Sequence, residues 1–313
     1  MSDLPGLLEV CGLGIDFDTP EGVARVVDDV SFTVAPGECV ALVGESGCGK
    51  SITAKAIVGL LDHRRASVRG TIRFEGTELD RRGRGRRALL GSRIAVVPQD
   101  PMAALNPTFQ VHDQMRAVYR GVENRYDPDG ALRDVGVEDP ERILSSWPFQ
   151  LSGGLAQRVL VGMALLNAPR LVLADEPATA LDVRVQQQAL DRLRRSVDED
   201  RMGLLLISHD LGLVRRYADR IFVMYAGRIV EEAPADALFD RPAHPYTRAL
   251  LAALPSMDGT RIPSSIDGDL PDYTAVPEGC RFRPRCPHAS EPCVHPVGLR
   301  EVGDAHRAAC VLC

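Results

Sequence analysis

No apolar run in this 313-residue chain approaches the roughly 18–20 residues of a membrane-spanning helix, so any membrane association is expected to come through a partner. The opening residues, MSDLPGLLEV, lack a basic region followed by a long apolar core. No secretory signal is expected, and the chain is expected to stay in the cytosol. Positive charge is also short: the net charge is −6, so no global basic field steers nucleic acid, and no nucleic-acid partner is expected. Aromatic residues make up only 5%, with a single tryptophan, while apolar residues reach 45% and are rich in Val, Leu and Ala. That balance suffices for a sizeable core and suits an α/β fold, and the length allows one large domain plus a smaller one. There is no internal repeat.

The densest basic stretch, residues 81–93 with Arg81, Arg82, Arg84, Arg86, Arg87 and Arg93, has no interleaved aromatics. It is read as a solvated loop or helix flank rather than a nucleic-acid patch. Residues 7–43 carry β-like runs, and 68–80 look like a hairpin or edge strands. Residues 100–165 read as mostly helical, ending in a helix that begins at Ser152. Strand and helix alternate over 171–230.

Two segments carry chemistry on their own terms. Cys39–Val43 (CVALV) reads as a buried strand, and Gly44-Glu45-Ser46-Gly47-Cys48-Gly49-Lys50-Ser51 follows it. The glycines let the backbone fold into a cup of N–H groups at the start of the next helix, where the dipole also favours anions. Lys50 supplies a point charge to β- and γ-phosphates, and the Ser51 hydroxyl can ligate Mg²⁺. The bland alternative is a glycine-rich turn with an incidental lysine. Farther on, Leu171-Val172-Leu173-Ala174 reads as a buried parallel strand ending in Asp175-Glu176. Asp175 would hold Mg²⁺, directly or through water, and Glu176 would polarise an attacking water. Phosphoryl transfer asks mainly for positioning and charge neutralisation, with a base beside the metal. Taken alone, this could be a solvated acidic pair.

The run Leu151-Ser152-Gly153-Gly154, followed by Gln157 and lying about twenty residues before that acidic strand end, resembles the signature of the ATP-binding cassette (ABC) superfamily. Ser152 is a good N-cap, and the two glycines permit close backbone approach. The resemblance implies a P-loop ABC cassette: a RecA-like core, an antiparallel β subdomain and a helical signature subdomain over about 100–165. It implies that Ser152, Gly153, Gly154 and Gln157 bind the γ-phosphate of ATP held by an opposing cassette. Two chains would then pair head to tail, and a single motif set requires the second cassette to come from another chain. Leu155-Ala156 stands where close relatives usually show Met-Arg, which touches fine tuning only. By the same resemblance Gln99, in VVPQDP, senses Mg²⁺ and the γ-phosphate and relays to the membrane partner. His209, in LLLISHD, hydrogen-bonds the γ-phosphate, and Asp182, in TALD, crosses to the partner cassette. Phe17 is a candidate adenine platform, its alternative being an ordinary strand residue.

Beyond the cassette, expected over 1–243, comes an extension over 244–313. It carries His244-Pro245-Tyr246-Thr247, then Cys280, Cys286, Cys293 and Cys310. This tail resembles the ATP-binding subunits of oligopeptide, dipeptide and nickel importers. The resemblance implies two transmembrane permeases, a second ATPase (a copy or a paralogue), and an extracellular solute-binding protein. It places the chain peripherally on the cytoplasmic side of the cell (inner) membrane, powering import of peptides, or of nickel or another small solute. A soluble ABC ATPase acting on DNA or the ribosome would normally carry long coiled coils or two cassettes, and this chain has neither. The cytosol disfavours structural disulfides, so four clustered cysteines suggest metal. Spacing alone leaves iron–sulfur and zinc both open, with free thiols a third option, since these four lack the paired CxxC knuckles of common zinc sites. Resemblance to importer subunits carrying this tail favours a [4Fe–4S] cluster, with Zn²⁺ as runner-up given His288, His295 and His306 nearby. About 35 tail residues with little apolar content are expected to need such a staple.

Overall fold

In the structure of the chain, a computed structural model that describes residues 6–80, 84–121, 125–177, 183–254 and 266–313, the N-terminal β-like runs form two long strands, β1 (Leu8–Thr19) and β2 (Gly22–Val34). Buried Val30, Phe32 and Val34 alternate with exposed neighbours, as a sheet with one face on a core requires. β3 (Cys39–Val43) is buried at all of its positions and leads into α1 (Lys50–Val58). β4 (Ala66–Phe74) pairs antiparallel with β1 from Leu8 against Phe74 to Phe17 against Ala66, broken by a bulge between Cys11 and Gly14. β5 (Thr77–Glu78) pairs with β4, so the expected hairpin over 68–80 is present, and the sheet order is β2-β1-β4-β5.

The middle of the chain forms a unit of its own, made of 6–7, 34–39 and the described residues between 84 and 207. α2 (Arg84–Leu89) carries part of the arginine-rich stretch, whose residues 81–83 lie outside the described residues. Arg86 is only 3% exposed, so this helix is not a uniformly solvated face. β6 (Ile94–Val97) is followed by the helices α3 (Pro101–Ala104), α4 (Val111–Val118), α5 (Pro128–Asp134), α6 (Pro140–Leu144) and α7 (Gly153–Leu165). Three of them start the same way. Asp100, Asp127 and Asp139 cap α3, α5 and α6 through side-chain bonds to backbone N–H groups, each with proline at the first helical position. Such a cap stabilises a helix by about 1 kcal/mol, and proline there sacrifices no bond. β7 (Leu171–Asp175), α8 (Val183–Asp200) and β8 (Gly203–Ser208) complete the unit. β6, β7 and β8 lie parallel in that order, Ala174 level with Val97 and Leu206. Their near-continuous apolar runs follow from burial on both faces.

The second unit joins 8–33 and 40–80 to the described residues from 208 on. α9 (Leu211–Tyr217) leads to β9 (Arg220–Tyr225), which pairs parallel with β3 and antiparallel with β10 (Arg228–Pro234). α10 (Ala235–Asp240), α11 (Pro245–Ala252), β11 (Arg300–Gly303) and β12 (His306–Ala308) follow, and β12 pairs with β10. The C-terminal segment therefore extends the sheet that carries β3. Its apolar content is low but concentrated: Phe282, 1% exposed, packs its ring against Tyr225 and Tyr246 at centroid distances of 5.2 and 5.4 Å. Burying one such ring stabilises by about 1.5–3 kcal/mol. Glu231 of β10 is fully buried yet accepts from the N–H groups of Ala243 and His244 and pairs with His306 Nε2 at 2.7 Å. The tail is thus fastened to the sheet by rings, strand pairing and a satisfied carboxylate.

Candidate active site

The phosphate loop lies between β3 and α1 in the second unit. Gly44 has φ 152, and a Cβ there would overlap the Met224 carbonyl oxygen, so only glycine fits. Gly49 is the N-cap of α1, Lys50 its first residue. The Lys50 side chain is held inside the loop: Nζ donates to the carbonyls of Gly44 at 2.8 Å and Glu45 at 2.9 Å. Ser46 and Gly47 are exposed at the mouth of the loop, whereas Cys48 is buried beneath it. Burial, offset in part by Lys50, pushes the Cys48 thiol upward, so it stays a neutral packing group. A cup rimmed by backbone N–H groups at a helix N-terminus, with an ammonium inside, can bind a polyphosphate.

Phe17 and His209 also belong to this unit. Phe17 is half-buried at the end of β1 opposite Ala66. His209 is exposed immediately after β8, and the next residue, Asp210, caps α9 by accepting from Gly212 and Leu213. In the first unit, Asp175 ends β7 level with Ile207, and the Glu176 N–H donates to the Ile207 carbonyl at 2.9 Å. Glu176 is 8% exposed with φ 50, a left-handed backbone that costs a non-glycine residue about 1–3 kcal/mol. Gln99 is exposed after β6, beside the Asp100 cap. Ser152 caps α7 by accepting from Leu155 N–H at 3.3 Å, with Gly153 exposed and Gly154 half-buried at the helix start. Gln157 is 2% exposed, and among the described residues its Nε2 has no hydrogen-bond partner. Asp182 lies outside the described residues.

Residues 27–179 match the model of the family described as ABC transporter, and residues 230–293 match the oligopeptide/dipeptide transporter C-terminal region. The dipeptide transport ATP-binding protein DppD of Escherichia coli (strain K12) is 40% identical, over 97% of this chain and 96% of that protein. The chain belongs to the ABC transporter family, as an ATP-binding subunit. DppD of Haemophilus influenzae is 42% identical over 95% of this chain and 94% of that one. A solved ATP-binding subunit of an ABC transporter superposes with a TM-score of 0.62 at 30% identity, covering 75% of this chain and 92% of that chain. A dimeric ATP-binding cassette solved with ADP and phosphate shares the fold, with a TM-score of 0.64 at 24% identity over 73% of this chain and 98% of that chain. This subunit is accordingly an ATPase with the cassette fold. Among its described residues no helix is long and apolar enough to cross a membrane.

Cys280, Cys286, Cys293 and Cys310 of the ABC subunit all line one small cavity, together with Phe282 and His288. None of the four is in a disulfide, and Cys293 and Cys310 are buried. Gly279 permits the close crossing that builds the cavity, because a Cβ there would overlap the Cys293 carbonyl oxygen. Leu312 N–H points at Cys310 Sγ from 3.5 Å. Among the described residues no group of three or more His, Cys, Asp or Glu side chains is placed to hold a metal ion. Cys313 is exposed and faces the Ala243 carbonyl.

Sequence reasoning missed the residues that tie this tail to the phosphate loop. Arg285, between Cys280 and Cys286, grips the Glu45 carboxylate with both Nη atoms, at 2.7 and 2.9 Å. Tyr246 Oη accepts from Glu45 N–H at 2.8 Å, and Tyr273 Oη donates to the Gly47 carbonyl at 2.7 Å. Tyr246 belongs to the sequence His244-Pro245-Tyr246-Thr247, and nothing in that local spacing signals a partner 201 residues away.

Proposed function

We propose that this ATPase powers the import of peptides as one subunit of a binding-protein-dependent transporter. The observation that carries the reading is the joint presence of a cassette and the oligopeptide/dipeptide transporter C-terminal region in one chain. The relatives named as dipeptide transport ATP-binding proteins support peptide as the cargo class. The complex would contain two permeases, a second cassette and an extracellular solute-binding protein, with this subunit peripheral at the cytoplasmic face of the membrane.

In this reading Lys50 and the loop from Gly44 to Ser51 hold the β- and γ-phosphates, and Phe17 supports the adenine. Mg²⁺ would be held by Ser51, Gln99 and Asp175 and would neutralise charge developing on the transferred phosphoryl group. Glu176 accepts a proton from the attacking water, and His209 donates to the γ-phosphate. Ser152, Gly153, Gly154 and Gln157 serve the ATP of the opposing cassette, as does Asp182. The permeases dock near Gln99 through about residue 115, a stretch in which Met102 and Phe109 are 41% and 52% exposed. Large apolar groups that remain so exposed suit a partner surface. We further assign the cavity of Cys280, Cys286, Cys293 and Cys310 to a [4Fe–4S] cluster, with Zn²⁺ as the alternative. The cavity lined by all four cysteines supports this reading, although no three such side chains are placed to hold a metal ion among the described residues. Residues 244–313 act as the extension that carries it.

Glu176→Gln in the purified complex tests the hydrolytic assignment: ATP should be trapped and turnover nearly stop. Hydrolysis at the wild-type rate would remove Glu176 as the base. Co-purification in mild detergent tests the partners. Two permeases and a second ATPase are expected, and a ribosome or DNA-repair complex in their place would overturn the class.

A further inference from the structure

We propose that Arg285 and Tyr273 of the C-terminal segment are positioning residues for ATP binding, holding the phosphate loop in its nucleotide-ready shape from outside. Ser46 and Gly47 form the exposed mouth of the loop, and the tail fixes the residues on both sides of Ser46. Glu45 is held by its carboxylate, through Arg285, and by its N–H, through Tyr246. Gly47 is held by its carbonyl, which accepts from Tyr273, and Leu270 Cδ1 lies within van der Waals contact of where a Gly47 Cβ would be. Arg285 is itself anchored: its side chain is 6% exposed and donates to the carbonyls of Asp267 at 2.8 Å and Ile266 at 3.1 Å. Its guanidinium also lies over the Tyr225 ring. Tyr273 is fastened to β2, its carbonyl accepting from Arg25 N–H at 2.9 Å.

Glycine-rich loops are the segments that lose most backbone freedom on ordering. A loop already fixed at Glu45 and Gly47 binds a polyphosphate without meeting that cost at the moment of binding. The pair Arg285–Glu45 is bidentate and largely out of solvent, which makes it directional as well as strong. The tail thereby has a role in nucleotide affinity that is separate from hydrolysis, because neither Arg285 nor Tyr273 is placed at the reacting atoms.

The test uses the assembled complex, carrying Arg285→Ala, Arg285→Lys or Tyr273→Phe, with Lys50→Ala as the non-binding control. Binding of a fluorescent ATP analogue gives Kd, and steady-state hydrolysis separates KM from kcat. Arg285→Ala should raise Kd and KM about tenfold with kcat within about twofold, the loss expected for charge-assisted bonds. Tyr273→Phe, which removes one hydroxyl, should raise Kd about threefold. Arg285→Lys should fall between them, since an ammonium cannot reproduce the fork. Hydrogen exchange should speed up in residues 44–51 of each variant and stay unchanged in 153–165. Unchanged Kd in both Arg285→Ala and Tyr273→Phe overturns the proposal, even if thermal stability drops. Where Arg285→Ala does not assemble, Tyr273→Phe decides alone, by the same Kd and exchange criteria. Absence of ATP binding by the wild-type complex would sink the ATPase assignment and this proposal with it, whereas wild-type binding with indifferent variants rejects only the latter.

Discussion

Asp28→Asn should destabilise the protein substantially, although Asp28 lies in no motif. Its carboxylate accepts from Arg228 at 2.7 and 2.9 Å and from Arg281 at 2.6 Å. The Arg281 side chain is 3% exposed and also donates to the Ala226 carbonyl. Removing the negative charge leaves a buried guanidinium without its counter-ion. Breaking a buried pair costs about 3–5 kcal/mol, but Arg228 is 37% exposed and Asp28 20%, so water screens part of the loss. An expected ΔΔG of about 2–3 kcal/mol lowers the melting temperature by roughly 3–5 °C for a chain of this size. The pH dependence follows from the same contacts. Burial pushes the Asp28 carboxyl upward, but the Arg228 hydrogen bond and the charges of Arg228 and Arg281 outweigh it and hold the carboxyl below its usual value. A depressed folded-state value means that the stabilisation is present above about pH 4, the unfolded carboxyl's range, and fades as pH falls through the folded value. The gap between wild type and variant should therefore be full at pH 7 and narrow in acid. Adding Arg281→Met should restore more than half of the loss by removing the stranded charge. A melting shift under 1 °C, or additive losses in the double variant, would refute the reasoning.

The cassette motifs were legible because their chemistry is local. A loop of glycines between an apolar strand and a helix has few alternatives, and the strand of Leu171–Ala174 needed only its own apolar run to place Asp175 and Glu176 at its end. The helical character of 100–165 was legible too, although the Asp-Pro pairs that start α3, α5 and α6 are the sharper signal. Phe17 could not be decided from sequence, because a half-buried strand residue and an adenine platform share the same residue type. The brace on the phosphate loop was illegible for a different reason. Arg285 and Glu45 are 240 positions apart, and neither periodicity nor composition records a pairing set by how the tail folds onto β9 and β10. The same holds for Asp28, an acidic residue in an otherwise ordinary strand. Cysteine spacing did indicate convergence, and the four cysteines do line one cavity, but spacing carries no information on what that cavity holds.

Three further outcomes are expected. Lys50→Ala should weaken nucleotide binding about 50-fold by removing a charged contact to the phosphates, read by equilibrium binding to the purified complex; an unchanged Kd would sink that role. Cysteines introduced at Ala104 or Phe109 should cross-link to a permease loop, and capture only at residues 190–200 would displace the docking surface. Anaerobically purified protein should be brown and contain about four irons per chain, following the four-thiolate rule for such clusters. The ground for treating Cys280, Cys286, Cys293 and Cys310 as one ligand set is that all four line one shared cavity. Cys293→Ser should then lower iron content and bleach the visible absorption, while the ring packing of Phe282 and the strand pairing of β12 keep the tail docked. Colourless anaerobic protein with one tightly held zinc would reject iron–sulfur but keep the four ligands, and protein free of both metals would reject the site.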